Sequence, residues 1–294
     1  MRKTYALLAL VLAMLVFGTP AGAITGNFQA DNTHTYVGLI AFYDKNDEFT
    51  HRCSGSLITA RVVITAGHCT DATTGATHAR LWFQQDAGAD FDPVTGTPAK
   101  SGYPVTSDVT SSHLYNYGYF AGLPNTKDAG LIVLDEPITD TDQASLVKSY
   151  GAIASVGSLD RLANRRGQQD VTFTASGYGL TRNSPVDSKV ISFRSRLMAV
   201  EKLNNLRSNL TGGFNIQTSA NPGGGKGGTC SGDSGGPLLY STNTNTIVAV
   251  NSFGLNEWCR GTDFMYRVDQ ADVQKWIKDT IGATEWSKVQ IANL

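Results

Sequence analysis

Residues 230–237 read CSGDSGGP, and the serine at the centre of this stretch is a candidate nucleophile. Ser234 follows an aspartate and precedes two glycines. A serine hydroxyl is a poor nucleophile unless a general base beside it takes its proton. The positions of the histidines therefore decide which chemistry, and which fold, this stretch belongs to.

All five histidines of the chain precede Ser234. Residues 232–236 also satisfy G-x-S-x-G, the nucleophile elbow of α/β-hydrolases, but that fold places its histidine after the serine. His68 is the best candidate base, because VVITAGHC places it directly after an apolar strand and beside a cysteine. The other four lie in polar segments and are interpreted as facing solvent: His34, His51, His78 and His113.

An imidazole base needs a buried carboxylate that fixes its tautomer. Asp128 lies in KDAGLIVLD (127–135), at the start of an apolar strand, where a carboxylate can be held at the edge of a core. The alternative interpretation of Asp128 is an ordinary turn aspartate.

The first 23 residues have the pattern of a secretory signal. A basic MRKTY precedes an apolar run at 6–18, and TPAGA ends in small residues that predict cleavage after Ala23. The apolar run is shorter than the roughly 20 residues of a membrane span, so we expect a soluble, exported protein without a span. With 17% charged residues and a net charge of −1, nothing favours a nucleic-acid partner.

Export changes the interpretation of the four cysteines. In an oxidising compartment Cys53, Cys69, Cys230 and Cys259 are expected to form two disulfides, with three pairings open. None of their spacings is C-x-x-C, which disfavours the alternative of a zinc site. No cluster of ligands indicates a required metal or cofactor.

Short segments rich in Val, Ile, Phe and Tyr alternate with turn residues along the mature chain and predict strands. They lie at 36–43, 56–67, 79–84, 130–135, 171–179, 190–200, 214–220, 236–241, 246–254 and 263–268. One helix is predicted over 269–281, with Gly282 as its stop. Two polar stretches, 84–112 and 139–170, are interpreted as surface loops and as a linker. This pattern indicates an all-β barrel or sandwich.

TAGHC, DAGLIVL and GDSGGP, in that order, resemble the signatures of chymotrypsin/trypsin-like serine proteases. The departures are small: Ala66-Gly67 where the family more often has Ala-Ala, and Ala-Gly-Leu after the aspartate. The resemblance implies two antiparallel six-stranded β-barrels and a C-terminal helix. We expect a signal peptide at 1–23, an N-terminal barrel at 24–145, a C-terminal barrel at 146–268, the helix at 269–282 and a tail at 283–294.

The same resemblance implies a role for each motif. Ser234 would attack the scissile carbonyl, His68 would take and return the proton, and Asp128 would orient the imidazole. The N–H groups of Gly232 and Ser234 would form the oxyanion hole. The implied disulfides are Cys53–Cys69 and Cys230–Cys259.

Family members pair a new amino terminus with the aspartate before the serine, here Asp233. The residues after the predicted cleavage site are Ile24-Thr25-Gly26-Asn27. We therefore expect signal removal itself to free Ile24 for an ion pair with Asp233. The alternative is cleavage a few residues away, with Asp233 held by another donor.

The resemblance also implies a specificity pocket. Gly228 takes the floor position where trypsins carry aspartate, with Thr229 beside it, and Ser252-Phe253-Gly254 resembles the Ser-Trp-Gly wall. Asp263 falls where a pocket glycine is usual and could attract Lys or Arg from the opposite wall; the alternative is an exposed turn aspartate. The glycines at 223–228 lack G-K-[ST] and a following helix, which disfavours a phosphate-binding loop.

Together these features predict a secreted, monomeric serine endopeptidase that acts on protein or peptide substrates without a cofactor. The runner-up is a catalytically silent binding protein on the same fold. An esterase of unrelated fold is disfavoured by the order of histidine and serine.

Overall fold

The structure is a computed structural model and describes residues 24–87, 107, 109–119, 122–162, 170–181, 195–221, 223–241 and 244–294. The signal segment predicted at 1–23 lies outside these residues, as do 190–194 of one predicted strand. The first nine strands are β1 Thr25–Gly26, β2 Phe28–Ala30, β3 Val37–Tyr43, β4 Phe49–Leu57, β5 Val62–Thr65, β6 His78–Trp82, β7 Val109–Ser111, β8 His113–Asn116 and β9 Gly130–Val133. The others are β10 Ala152–Ala154, β11 Thr172–Gly177, β12 Leu197–Asn205, β13 Asn215–Ser219, β14 Gly227–Gly228, β15 Pro237–Tyr240, β16 Thr246–Gly254, β17 Thr262–Arg267 and β18 Ile291–Ala292.

The first barrel is a seven-stranded antiparallel sheet in the order β7-β6-β3-β4-β5-β9-β8. Its two edge strands are consecutive in the chain and separated only by Ser112, so the sheet closes on itself. Counted with β7 and β8 as one bent strand, it is the six-stranded barrel that the family resemblance implies. Every residue of β3, VGLIAFY, is buried, as expected of a strand with a core on one side and neighbouring structure on the other.

The second barrel contains a closed ring of six strands, β15-β11-β12-β13-β17-β16, because β16 pairs back onto β15. Strands β2, β10 and β18 extend this sheet beyond the ring. The predicted all-β class with two antiparallel barrels is confirmed.

Several predicted strand limits were wrong. The segment 56–67 is not one strand, since β4 ends at Leu57 and β5 begins at Val62 after a tight connection. The polar stretch 84–112 contains β7, and 139–170 contains β10, which runs parallel to β16. These strands are three residues long, too short to show a hydrophobic period in sequence.

The two ends of the chain cross between the barrels. Strand β2, predicted as part of the first barrel, pairs with β12 of the second, and β1 pairs with β14. The C-terminal helix α1, Ala271–Trp286, places Val273 and Ile277 in the same buried cluster as the strands of the first barrel.

Helix α1 continues beyond its predicted stop. Gly282 does leave helical geometry, with φ 82° and ψ 161°, but the chain resumes helical turns as far as Trp286. The tail then forms β18, which pairs in parallel with β10. No helix within the described ranges is long and apolar enough to cross a membrane.

Candidate active site

His68 and Asp128 meet at one end of the first barrel. Antiparallel pairing of Thr65 with Gly130 brings together the end of β5 and the start of β9, which carry the two residues just beyond. His68 Nδ1 lies 2.9 Å from Asp128 Oδ2 and 3.1 Å from Oδ1, and the His68 main-chain N–H donates to Oδ1 at 2.8 Å. Because a carboxylate only accepts, the Nδ1 atom carries the proton and Nε2 is left able to accept one.

The second barrel also holds Asp128. Ser252 Oγ, on β16, donates to Asp128 Oδ2 at 2.6 Å. Asp128 is 1% exposed, whereas the His68 side chain is 25% exposed. The carboxylate is therefore buried and fixed by donors from both barrels, and the imidazole reaches the surface between them.

The turn that carries Ser234 is bound to the first barrel, because Ser54 N, on β4, donates to Ser234 O at 2.8 Å. Within the turn itself, Asp233 N donates to Cys230 O at 3.0 Å. Gly235 has φ +76°, and a Cβ there would lie 2.6 Å from Ala66 N, so only glycine lets the turn approach this closely. The Ser234 hydroxyl makes no hydrogen bond to His68 or to another residue in the described ranges, and it lines an open cavity.

Two main-chain donors next to Ser234 have no partner within the described chain: the N–H groups of Gly232 and Ser234. Gly232 has φ +96°, and its carbonyl accepts from Ser54 Oγ at 2.9 Å. This bond fixes the peptide plane on the carboxyl side of Gly232. Unpaired N–H groups near a serine hydroxyl can stabilise an anionic oxygen.

The cavity beside Ser234 has a volume of about 440 Å³. Its lining includes Thr229, Ser252, Phe253, Gly254 and Asp263, five of the six predicted pocket residues. The Phe253 ring stacks on Phe264, with centroids 4.7 Å apart and planes within 4°. The predicted substrate-binding residues are thus brought together around one cavity.

Asp263 is a buried residue of this cavity wall and not an exposed turn aspartate. It is 2% exposed, and its Oδ2 accepts from Thr229 N at 2.7 Å and Thr229 Oγ1 at 3.0 Å. A Cβ on Gly228 would overlap Ala220 and lie 3.0 Å from Asp263 Oδ2. Gly228 therefore leaves room for the carboxylate that arrives from the opposite wall.

Asp233 points away from the cavity into the second barrel and is 1% exposed. Gly179 N donates to Oδ1 at 2.8 Å and Cys230 N to Oδ2 at 2.9 Å, and Ile24 N also donates to this carboxylate. Burial raises the pKa of Asp233 to about 7, although these three amides favour its charged form. Ile24 is fully buried, so the predicted partners lie side by side in the uncleaved chain.

Both implied disulfides, Cys53–Cys69 and Cys230–Cys259, are present. The first lies beside His68 and the second joins the serine turn to the cavity wall. Within the described ranges, Cys53, His68 and Cys69 are the one group of His, Cys, Asp or Glu close enough to share a metal ion. Both sulfurs belong to the disulfide and offer no thiolate ligand.

Sequence reasoning was wrong about His34 and did not single out two further residues. His34 is 1% exposed and its Nδ1 lies 2.9 Å from Asp31 Oδ2, so it does not face solvent. The spacing Asp-x-x-His was the available signal, since the carboxylate also accepts from the His34 N–H. Tyr119 lies against His68, with ring centroids 5.5 Å apart, and Glu201 is fully buried in β12.

Known proteins place this architecture in one family. A family model described as Trypsin matches residues 24–277. Trypsin 5G1 of Aedes aegypti is 28% identical over 236 residues, which cover 79% of this chain and 76% of that protein. The structure of HL collagenase superposes with a TM-score of 0.62 at 18% identity, covering 88% of this chain and 99% of the other. A scabies mite inactivated protease paralogue superposes with a TM-score of 0.57 at 17% identity, over 87% and 99% of the two chains. The chain therefore belongs to the trypsin family.

Proposed function

We propose that this protein is a secreted serine endopeptidase. The observation that carries the proposal is the His68–Asp128 pair, with Nδ1 held by a buried carboxylate at 2.9 Å. Ser234 lies close to this pair, since Ser234 O is 3.9 Å from Sγ of Cys69, the residue next to His68. The amides of Gly232 and Ser234 have no partner among the described residues. A histidine with this tautomer has its Nε2 available as a general base. Protein or peptide chains are the proposed substrates, and export follows from the predicted signal at 1–23.

The proposed reaction has two halves. The Ser234 Oγ forms a bond to the substrate carbonyl carbon while its proton passes to His68 Nε2, and the carbonyl oxygen becomes an anion facing the amides of Gly232 and Ser234. The C–N bond then breaks, and His68 gives the proton to the leaving amine. Water hydrolyses the acyl-enzyme in the same way, with its proton passing through His68 back to Ser234.

Labelling with a phosphonylating serine reagent tests the proposal. The mature protein should be modified at Ser234 and lose peptidase activity, whereas Ser234→Ala should be neither labelled nor active. A folded protein that cleaves no peptide from a library and is not labelled would instead be the silent binding protein. The similarity to an inactivated protease paralogue makes that second candidate worth the same test.

The proposed specificity is for Lys or Arg, through Asp263. Burial raises the pKa of Asp263 to about 6, although both Thr229 donors favour its charged form. Below pH 6 the floor would be neutral, and above it negative, so the rate on an Arg substrate relative to a Phe substrate should rise through this range. Asp263→Asn should reduce the Arg/Phe ratio of kcat/KM roughly 10- to 100-fold at pH 8, since a bond to a charged group contributes about 1.5–3 kcal/mol.

Glu257→Gln, at a carboxylate that lines the same cavity, is the matched control and should keep most of the preference. Unchanged Arg/Phe ratios in Asp263→Asn across pH 5–8 would contradict the assignment of Asp263.

The proposed activation step is signal removal before Ile24. The new ammonium would replace the Ile24 amide beside Asp233, whose buried carboxylate has no positively charged partner among the described residues. Amino-terminal sequencing of the secreted, active protein should start at Ile24, and an active protein that starts elsewhere would contradict this step.

A further inference from the structure

Glu201 is a buried acid that the proposed mechanism does not use. It lies in β12 and is fully buried, between half-buried Val200 and exposed Lys202. Its Oε2 accepts a hydrogen bond from Thr218 Oγ1. Its Oε1 has no hydrogen-bond partner within the described residues. A carboxylate costs a large free energy in such a place unless it is paired or keeps its proton.

Strand register places Glu201 and Asp263 on the same inner face of the second barrel. Leu203 pairs with Thr218 across β12 and β13, and Thr218 pairs with Asp263 across β13 and β17. Side chains two residues apart on a strand share a face, so Glu201 lies on the face of Leu203 and Thr218. Thr218 thus stands between two acids, one buried behind the cavity and one lining it.

No Lys, Arg or His in the described ranges forms an ion pair with either acid. Burial and the charge of Asp263 raise the pKa of Glu201 well above its ordinary value, against the hydrogen bond from Thr218. The other charged groups around this pair are Asp233, on the serine turn, and Glu257 and Arg260, at the cavity mouth. Two neighbouring buried carboxyls do not both ionise readily, which favours retention of one proton by the pair.

We propose that Glu201 is a second specificity-determining acid: it keeps its proton while the cavity is empty and releases it when a cationic side chain pairs with Asp263. This rests on the proposed function, because it takes the cavity as the substrate pocket. The entering guanidinium or ammonium offsets the repulsion between the two carboxylates. The proton released from Glu201 passes to water. The cavity floor then carries two negative charges when a basic substrate is bound and one negative charge when any other substrate is bound.

Calorimetric titration of the mature protein with benzamidine, a cation at neutral pH, tests this. Measured at pH 7.5 in two buffers of different protonation enthalpy, binding should release roughly one proton per site. Glu201→Gln has the shape of the protonated acid and should still bind benzamidine, with proton release reduced to a small fraction. Glu136→Gln, at an exposed carboxylate, is the matched control and should release as many protons as the wild type.

Thr218→Val gives a second measurement that does not depend on the folding of Glu201→Gln. It removes the donor that favours the charged form of Glu201, so proton release at pH 7.5 should fall below that of the wild type. Equal release in wild type, Glu201→Gln and Thr218→Val would overturn the inference, and so would absence of benzamidine binding. Labelling of Ser234 in the same samples tests the proposed function separately, since it does not depend on the charge at the cavity floor.

Discussion

Asp128 determines which ring nitrogen of His68, the candidate base, carries the proton. Both its oxygens accept hydrogen bonds, from the main chain and ring of His68 and from Ser252. An asparagine in its place would present an NH₂ group to the imidazole or leave it free to turn. The proton would then move to Nε2, which could no longer accept one from Ser234.

We therefore expect Asp128→Asn to lower kcat about 10³- to 10⁴-fold at neutral pH without unfolding the protein. Steady-state kinetics with a peptide substrate measures this. Ser252→Ala, which removes one of the bonds and leaves the His68 pair intact, serves as the comparison and should cost much less. Equal decreases of kcat in the two variants would show that Asp128 does not act by fixing the tautomer of His68.

Single residues were predictable where their motif is local. TAGHC, DAGLIVL and GDSGGP identify His68, Asp128 and Ser234 because each lies within a few residues of a recognisable strand or turn. Glu201 was not predictable in the same way, and for His34 the local Asp31-x-x-His34 spacing indicates the pairing but not the burial. Their burial depends on strands and segments far away in sequence, such as Thr218 on β13 and Ser176 on β11, whose Oγ donates to the Asp31 partner of His34.

At the level of elements, the C-terminal tail is a structural part of the second sheet. Ile153 N donates to Gln290 O at 2.8 Å and Ser155 N to Ala292 O at 2.7 Å, so β18 covers the edge of β10. Val289 is 8% exposed and belongs to the buried core. Sequence periodicity indicates helix α1, because the helix is amphipathic and its apolar residues recur on one face. Strand β18 is only two residues long, so it has no periodicity that could be detected in the sequence.

Deletion of residues 288–294 should lower the free energy of unfolding by about 2–4 kcal/mol, from lost hydrogen bonds and lost burial of Val289. Thermal and urea unfolding measure this. Ile291→Ala changes a side chain that is 47% exposed but keeps the main-chain bonds, and should be close to wild type. A deletion variant as stable as Ile291→Ala would mean that the tail pairing does not contribute to folding.

For the molecule as a whole, Arg196 joins the two barrels. It begins the segment leading into β12, is 2% exposed, and donates to the carbonyls of Asp31, Val37 and Phe83 at 2.9–3.1 Å. In the first barrel, Val37 belongs to β3 and Phe83 directly follows β6. One guanidinium therefore satisfies acceptors from parts of the chain that are distant in sequence.

Arg196→Met keeps the apolar stem and removes one donor from each of these buried carbonyls, of which Val37 O also accepts from the Tyr178 hydroxyl at 3.5 Å. The loss should cost about 3 kcal/mol or more. Urea unfolding followed by tryptophan fluorescence and by loss of peptidase activity measures the change. Arg207→Met, an exposed arginine of the same barrel, is the control and should shift the midpoint little. An Arg196→Met protein as stable as the wild type would contradict the role assigned to Arg196 in joining the barrels.

The crossing of the chain ends has a consequence for synthesis. Val273 and Ile277 of helix α1 belong to the buried cluster that contains the strands of the first barrel, so this cluster is complete only after helix α1 has been synthesised. Strands β1 and β2, which follow Ile24, can pair only after their partners β14 and β12 have been synthesised. A growing chain that already contains His68 and Asp128 still lacks Ser234 and the Ser252 hydroxyl that donates to Asp128. The proposed active site therefore becomes complete only after most of the chain has been synthesised.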